Sequence, residues 1–280
     1  MKIDAHQHFW RLDRGDYGWL KPSMEKLYRN FLPDDLSPLL KRCGIDGTVV
    51  VQAAPTVAET EFLLQLAELT PFIVGVVGWL DLGSERFLQD FQRLRRNRMF
   101  VGIRPMLQDL PEDDWILQET VVRNICVLAD EGFPLDLLIF PRHLPYILEL
   151  LRQVPHLRAV VDHLAKPHIK DQIYEPWCSQ MSEIANYPNV YCKVSGMVTE
   201  ADPDSWTPAD LKPYVECVVK AFGAKRLLFG SDWPVCTTVA SYEKVYETTL
   251  SLLTSVLSPE QVDWVFGENA GAFYRLETVR

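Results

Sequence analysis

Eight short apolar runs, rich in β-branched residues, recur along this 280-residue chain. They span Lys2–Phe9, Gly47–Ala53, Phe72–Leu80, Phe100–Met106, Pro134–Phe140, Arg158–Leu164, Asn189–Gly196 and Arg226–Trp233. Several are continuous rather than alternating, as in Thr48-Val49-Val50-Val51. Continuous runs suit parallel strands buried on both faces. Helical patterns fill most of the gaps. Glu59–Leu69 carries Phe62, Leu66 and Leu69 on one stripe, and Ser84–Arg96 carries Phe87, Phe91 and Leu94. Glu119–Asp130 and Glu243–Leu257 have similar stripes, Thr207–Phe222 opens on Thr207-Pro208, a cap followed by proline, and Glu268–Tyr274 closes the chain. Eight β-then-α units at a mean period of about 32 residues sum to a single-domain (β/α)8 TIM barrel over residues 1–280. A doubly wound open sheet is the competing architecture, weakened because no G-x-G-x-x-G follows any strand. The longest irregular stretch, residues 10–32, reads as a βα loop on the catalytic face, and residues 162–176 read as another.

Composition limits the partners. The net charge is −10, and no basic cluster exceeds Arg93-Leu94-Arg95-Arg96-Asn97-Arg98, which reads as a solvated helix end. Nucleic acid is therefore not an expected partner. No apolar run approaches the length of a membrane span, and the chain enters its first strand without a signal-peptide pattern, so a cytoplasmic protein is expected. The six cysteines, Cys43, Cys126, Cys178, Cys192, Cys217 and Cys236, form no C-x-x-C, and buried reduced thiols are the expected state. A monomer and a homo-oligomer are both compatible with the sequence.

In a barrel the site forms at the C-terminal ends of the strands. Strand one ends in Asp4-Ala5-His6-Gln7-His8. Alternate side chains share a face, so His6 and His8 stand about 6–7 Å apart at the backbone and can lean onto one ion or one substrate oxygen. A lone pair of this kind is as readily a surface or capped pair. Strand two ends at Gln52, three at Trp79 and Asp81, four at Arg104. Strand five carries Asp136, six Asp162-His163 then Lys166, seven Lys193 and Ser195, eight Ser231-Asp232. Burying unpaired polar groups is costly, so their recurrence at one end argues for a shared purpose. Asp232, where strand eight closes on strand one, lands beside His6 and His8 and can share a metal or take a proton from water. His163 reads as a donor to a carbonyl or leaving oxygen. Arg104 and Lys193 read as substrate ligands or structural ion pairs. Trp10, Tyr17 and Trp19 line the first loop, either to cover a sugar ring or to pack the loop. His143, His156 and His168 lie outside the strand ends, and His156 reads as structural.

Four spaced motifs carry a resemblance over essentially the whole chain. They are Asp4-Ala5-His6-Gln7-His8-Phe9-Trp10, Val161-Asp162-His163-Leu164-Ala165-Lys166-Pro167, Cys192-Lys193-Val194-Ser195-Gly196 and Phe229-Gly230-Ser231-Asp232-Trp233-Pro234, with Asn269-Ala270 and Tyr274 in the closing helix. Together they resemble the amidohydrolase superfamily, and within it the amidohydrolase family 2 branch of L-fuconolactonase and L-rhamnonolactonase type sugar-lactone hydrolases. The resemblance implies a (β/α)8 barrel, with His6, His8, His163 and Asp232 as catalytic residues. It implies hydrolysis of a small-molecule aldonolactone to the open acid, with Asp232 as general base and the histidines or one divalent metal polarising the carbonyl. Gln52, Trp79, Arg104, Lys193, Trp10 and Trp19 are the candidate substrate-binding residues. Metal-rich members of the superfamily carry a strand-five histidine and often a bridging Lys or Glu, which are missing here. The implied cofactor is at most one divalent metal such as zinc, on His6, His8 and Asp232, or none. A pyrone-dicarboxylate or muconolactone-type lactonase and a metal-dependent decarboxylase of the same superfamily are the alternatives. The first would want several arginines in the site, and the strand ends supply only Arg104.

Overall fold

The computed structural model describes residues 1–277. Eight strands run in chain order: β1 (Ile3–Gln7), β2 (Gly47–Val51), β3 (Ile73–Gly78), β4 (Phe100–Ile103), β5 (Leu135–Leu137), β6 (Ala159–Val161), β7 (Val190–Val194) and β8 (Leu227–Phe229). Each pairs in parallel with the next, in spatial order β1 to β8. A parallel bridge between Gln7 and Trp233 closes the ring. Sequential order with closure is a (β/α)8 barrel and not a doubly wound sheet, whose strand order reverses.

All eight apolar runs form strands, but the ladders stop short of the run ends. Beyond the last paired residue the chain turns away, and these tips carry Gln52, Arg104, His163 and Asp232, while His6, Asp136 and Lys193 lie within the strands. Outside the ring lie α1 (Pro33–Cys43), α2 (Val57–Leu69), α3 (Phe87–Leu94), α4 (Glu119–Asp130), α5 (Leu144–Gln153), α6 (Trp177–Ile184), α7 (Met197–Glu200), α8 (Pro208–Phe222), α9 (Tyr242–Thr254), α10 (Pro259–Asp263) and α11 (Asn269–Tyr274). The sequence periodicity does not bring out α1, α5 and α6. α1 buries only Leu36 and Leu40 and has Pro38 inside it, so its apolar stripe is thin. α5 opens on Leu144-Pro145, and α6 is only eight residues long. Residues 11–32 contain a single short 3-10 turn, Leu12–Arg14.

The inner core is a cluster of strand side chains, among them Ile3, Ala5, Val49, Val51, Val77, Val101, Val160 and Leu228, closed at one end by Ala270, Phe273 and Tyr274 of α11. The other core layer lies between strands and helices. One expectation fails here. Cys178 and Cys217 are joined as a disulfide, so two of the six cysteines are not thiols. They lie 39 residues apart in sequence, but α6 packs against α8 and brings their Cα atoms to 6.2 Å. Cys43, Cys126, Cys192 and Cys236 are free. The basic run at the end of α3 is spread over surface pairs, Arg93–Glu61, Arg95–Glu131 and Arg98–Glu277. Among the described residues, no helix is long and apolar enough to cross a membrane.

Candidate active site

The H-x-H pair owes its placement to an irregularity in β1. Asp4 pairs with Thr48 but Gln7 pairs with Val50, so β1 has one residue more than β2 between those points. Such a bulge re-aims side chains. Ile3 and Ala5 pack in the inner cluster, and after the extra residue His6 also points inward, with His8 on the same face. Asp4 and Gln7 point outward, to Tyr242 and Thr48. Asp4 also fastens the seam. Its carboxyl oxygens accept from the backbone N–H groups of His6 (3.1 Å) and Ser231 (2.9 Å) and from the Tyr242 hydroxyl (3.1 Å). The backbone N–H of Asp232 then donates to His6 O at 2.8 Å, and that of His8 to Trp233 O at 2.7 Å.

This seam brings Asp232 onto the histidines. Asp232 Oδ1 lies 3.3 Å from His8 Nε2, 3.7 Å from His6 Nε2 and 3.8 Å from His163 Nε2. Burial alone opposes ionisation of Asp232, but the facing His163, His8 and His6 outweigh it and hold the carboxyl well below the usual carboxylate range. Burial pushes His163 down to about 4, although Asp232 and Asp162 work the other way, so its imidazole is neutral near pH 7. Burial likewise lowers His6.

His163 begins a tight turn. His163, Leu164, Ala165 and Lys166 have φ of 53°, 55°, 58° and 50°, all in the left-handed region that non-glycine residues avoid. Trp177 Nε1 donates to Leu164 O at 2.7 Å and pins the turn. The turn delivers His163 and Lys166 to the same cavity, and Ser195 fixes the ring through its Oγ, 2.8 Å from His163 Nδ1. Asp232 has φ 58°, a second such position at the site.

The cavity has a volume of about 140 Å3. His8, His163, Asp232, Arg104, Lys166 and Trp19 are on its wall, together with Met106, Gln108 and Asp109. Trp19 is held by its Nε1, which donates to Ala53 O at 2.7 Å. Ala53 and Ala54 are in turn held by buried Glu59, which accepts from both backbone N–H groups. The other expected residues fall elsewhere. Trp10 is fully buried, donates from Nε1 to Arg29 O, and packs on Tyr17, Trp19 and Phe31, so it builds the loop and does not reach the cavity. Trp79 faces a neighbouring cavity of about 560 Å3, between Trp19 and Trp115. Gln52 is fully buried and spends its amide on Arg104, accepting from Nη2 at 2.9 Å and Nε at 3.2 Å. Lys193 is also fully buried, beneath the cavity, against Asp136, Asp162 and His6. Neither lines the cavity, because a strand-end position says how far along the barrel a side chain lies, not how deep.

Lys166, Gln108 and Asp109 on the wall, and Ser195 as the partner of His163, do not follow from residue type and strand position alone. Lys166 and Ser195 stood in motifs already singled out. Gln108 and Asp109 sit in a 3-10 turn, Leu107–Asp109, with no periodic signal. His143 caps the Phe140 turn, accepting from Phe140 N at 2.9 Å, and His156 pairs with Asp130 on the surface.

The donor atoms of His6, His8 and Asp232 also fit one metal ion. Tetrahedral bonds of about 2 Å place ligand atoms about 3.3 Å apart. The three separations here are 3.2, 3.3 and 3.7 Å. His8 Nδ1 lies 2.7 Å from Val51 O, which turns Nε2 toward the site. Strand β5 offers Asp136 instead of a histidine, and Asp136 is engaged by Lys193 and by the Tyr274 hydroxyl at 2.7 Å.

A parallel barrel with an H-x-H pair on β1, a histidine after β6 and an aspartate after β8 defines a class, and the comparison with known families agrees. The amidohydrolase family model matches residues 3–276, and the chain belongs to that family. A protein named L-fucono-1,5-lactonase from Burkholderia ambifaria is 44% identical over 280 residues, 99% of this chain and 96% of that one. A second protein of that name, from Burkholderia multivorans, is 34% identical over 99% of this chain and 96% of its own length. A crystal structure of a Burkholderia multivorans amidohydrolase with bound zinc superposes with a TM-score of 0.93 at 34% identity, covering 99% of this chain and all of that one.

Proposed function

We propose that this enzyme hydrolyses a sugar-acid lactone to its open-chain acid, with Asp232 as the general base. The observation that carries the reading is the Asp232 carboxylate at the wall of a sugar-sized cavity, facing His6, His8 and His163. The full-length similarity to L-fucono-1,5-lactonases supports it and points to an aldonolactone of that kind.

In the reaction, Asp232 takes a proton from a water molecule as the water oxygen bonds to the lactone carbonyl carbon. Charge develops on the carbonyl oxygen, where Arg104 and Lys166 are the cations on the cavity wall. Arg104 is preorganised, since Gln52 and Asp162 hold its other donors. When the tetrahedral intermediate collapses, the ring C–O bond breaks and the leaving oxygen takes the proton that Asp232 gained from the water, directly or relayed through the neighbouring His163. The acid formed loses its proton to water at neutral pH. Trp19 offers an aromatic face to the sugar ring. A divalent ion such as zinc, held by His6, His8 and Asp232, would supply Lewis-acid polarisation and a more acidic water.

Two cations on the wall, one of them already engaged, suit a neutral lactone and a monoanionic product better than a dicarboxylate. Asp232→Asn keeps the shape of the site and removes the base. It should lower kcat about 10²–10⁴-fold with unchanged circular dichroism, in a pH-indicator assay over five- and six-membered aldonolactones. A fully active variant would sink the assignment. Carbon dioxide release from a carboxylated substrate would select the decarboxylase reading instead.

A further inference from the structure

Lys193 lies directly behind the H-x-H pair, and the hydrolysis above uses it for no step. An ammonium has three N–H donors and no acceptor. Lys193 Nζ lies 2.5 Å from Asp136 Oδ2, 3.0 Å from Asp162 Oδ1 and 3.2 Å from His6 Nδ1. The side chain is fully buried; Asp136 Oδ2 and His6 Nδ1 accept hydrogen bonds from it, and Asp162 Oδ1 faces the ammonium as an ion pair.

We propose that Lys193 is a positioning residue, a built-in cation that sets the tautomer of His6 and competes with a divalent ion for it. The proposal rests on His6, His8 and Asp232 as the donor set of the site and not on which lactone is cleaved. A neutral imidazole has one donor and one acceptor nitrogen. With Nδ1 accepting from Lys193, His6 carries its proton on Nε2. That Nε2–H faces His8 Nε2 at 3.2 Å. His8 Nδ1 lies 2.7 Å from Val51 O, and a carbonyl only accepts, so His8 carries its proton on Nδ1 and its Nε2 is bare. The chain Lys193 to His6 to His8 to Val51 therefore runs in one direction. Arg104 Nη1, 3.4 Å from His6 Nε2, has its acceptor in Asp162 Oδ2 at 3.4 Å.

A metal ion needs the opposite arrangement at His6, with Nε2 bare. The proton must then move to Nδ1, where Asp162 Oδ1 at 3.4 Å is the acceptor within reach and the ammonium at 3.2 Å faces the new N–H. Lys193 thus opposes a metal both through the tautomer and through its charge. The same residue holds the metal-free site in order, with the His6 proton directed into the pair and not away from it.

Two measurements test this without a lactone, so their failure leaves the hydrolase reading intact and an inactive enzyme leaves this one intact. First, 15N NMR of histidine-labelled, metal-free wild type, assigned against His6→Gln, should show His6 as the Nε2–H tautomer. A proton on Nδ1 overturns the proposal. Second, zinc titrated against a chromophoric chelator should bind Lys193→Met tighter than wild type by about tenfold or more. Equal or weaker binding by a folded variant overturns it. Lys193→Met leaves the Asp136 carboxylate without its cation, while Asp162 keeps Arg104. Should it not fold, Lys193→Met with Asp136→Asn removes the buried pair together, and the same gain in zinc affinity is expected.

Discussion

His163 is placed by its neighbours more than by its own sequence position. Ser195 Oγ holds Nδ1, and Gly196, at φ 61°, leaves no room for a side chain, since a Cβ there would lie 2.6 Å from His163 Nδ1. Hydrogen bonds to the far side of a functional imidazole set its orientation, and their loss typically costs about 10–100-fold. Ser195→Ala should therefore lower kcat by roughly that factor, with little change in KM, in steady-state assays. Glu59 acts at a distance by holding Ala53, whose carbonyl accepts from Trp19. Burial raises its carboxyl to about 8, against a usual 4.5. Between those values the folded protein keeps a proton that the unfolded chain releases, so stability is lost as pH rises through that window. Glu59→Gln should remove this dependence. Its melting temperature should gain on wild type from pH 5 to pH 8 in thermal melts, and parallel curves would contradict the assignment.

At the scale of the element, the site depends on strand tips and on one bulge. Paired segments are as short as three residues in β5, β6 and β8, and Gln52, Arg104, His163 and Asp232 follow within three residues of a strand end. The bulge in β1 brings His6 inward one residue after Ala5, so the backbone there crowds β8. Gly230 fills that crowded spot, where a Cβ would stand 2.6 Å from His6 Cβ and 3.1 Å from Ser195 Cβ. Gly230→Ala should cost about 1–3 kcal/mol in urea unfolding, because neither neighbour can withdraw without displacing the site. Turnover should fall with it. A variant as stable and active as wild type would show that the β1–β8 contact is looser than the structure indicates.

Across the whole molecule, residues near the two ends of the chain are made to meet. The seam between β1 and β8 carries few backbone hydrogen bonds, and Asp4 supplies what the ladder does not. Asp4→Ala would leave the Ser231 and His6 N–H groups and the Tyr242 hydroxyl without their acceptor. At about 1–3 kcal/mol for a buried unsatisfied group, with partial relaxation, a loss of about 2–5 kcal/mol is expected by denaturant titration. Tyr274 of α11 adds a second link, since its hydroxyl donates to Asp136 under the site. Closing the barrel and bringing Asp232 onto His8 are therefore the same event. Asp232 reaches His8 only when the seam is shut.

The sequence by itself determined the barrel, because eight continuous apolar runs separated by helical stripes have few other ways to be buried. It also determined His6, His8, His163 and Asp232 as a group, since chain order in a closed barrel puts strand eight beside strand one. Arg104 was legible from its place at a strand end, and Trp19 from its place in the loop after strand one. Depth was not. Gln52, Lys193 and Trp10 have the residue types of substrate ligands, but only tertiary packing shows them buried behind the cavity wall, each paired within the protein. The Cys178–Cys217 bond was equally hidden, because a separation of 39 residues says nothing about which helices lie side by side. Periodicity records which face of an element is buried. Where two faces meet, and so which polar groups are spent on each other and which are left for a substrate, is decided by the three-dimensional packing of many elements at once.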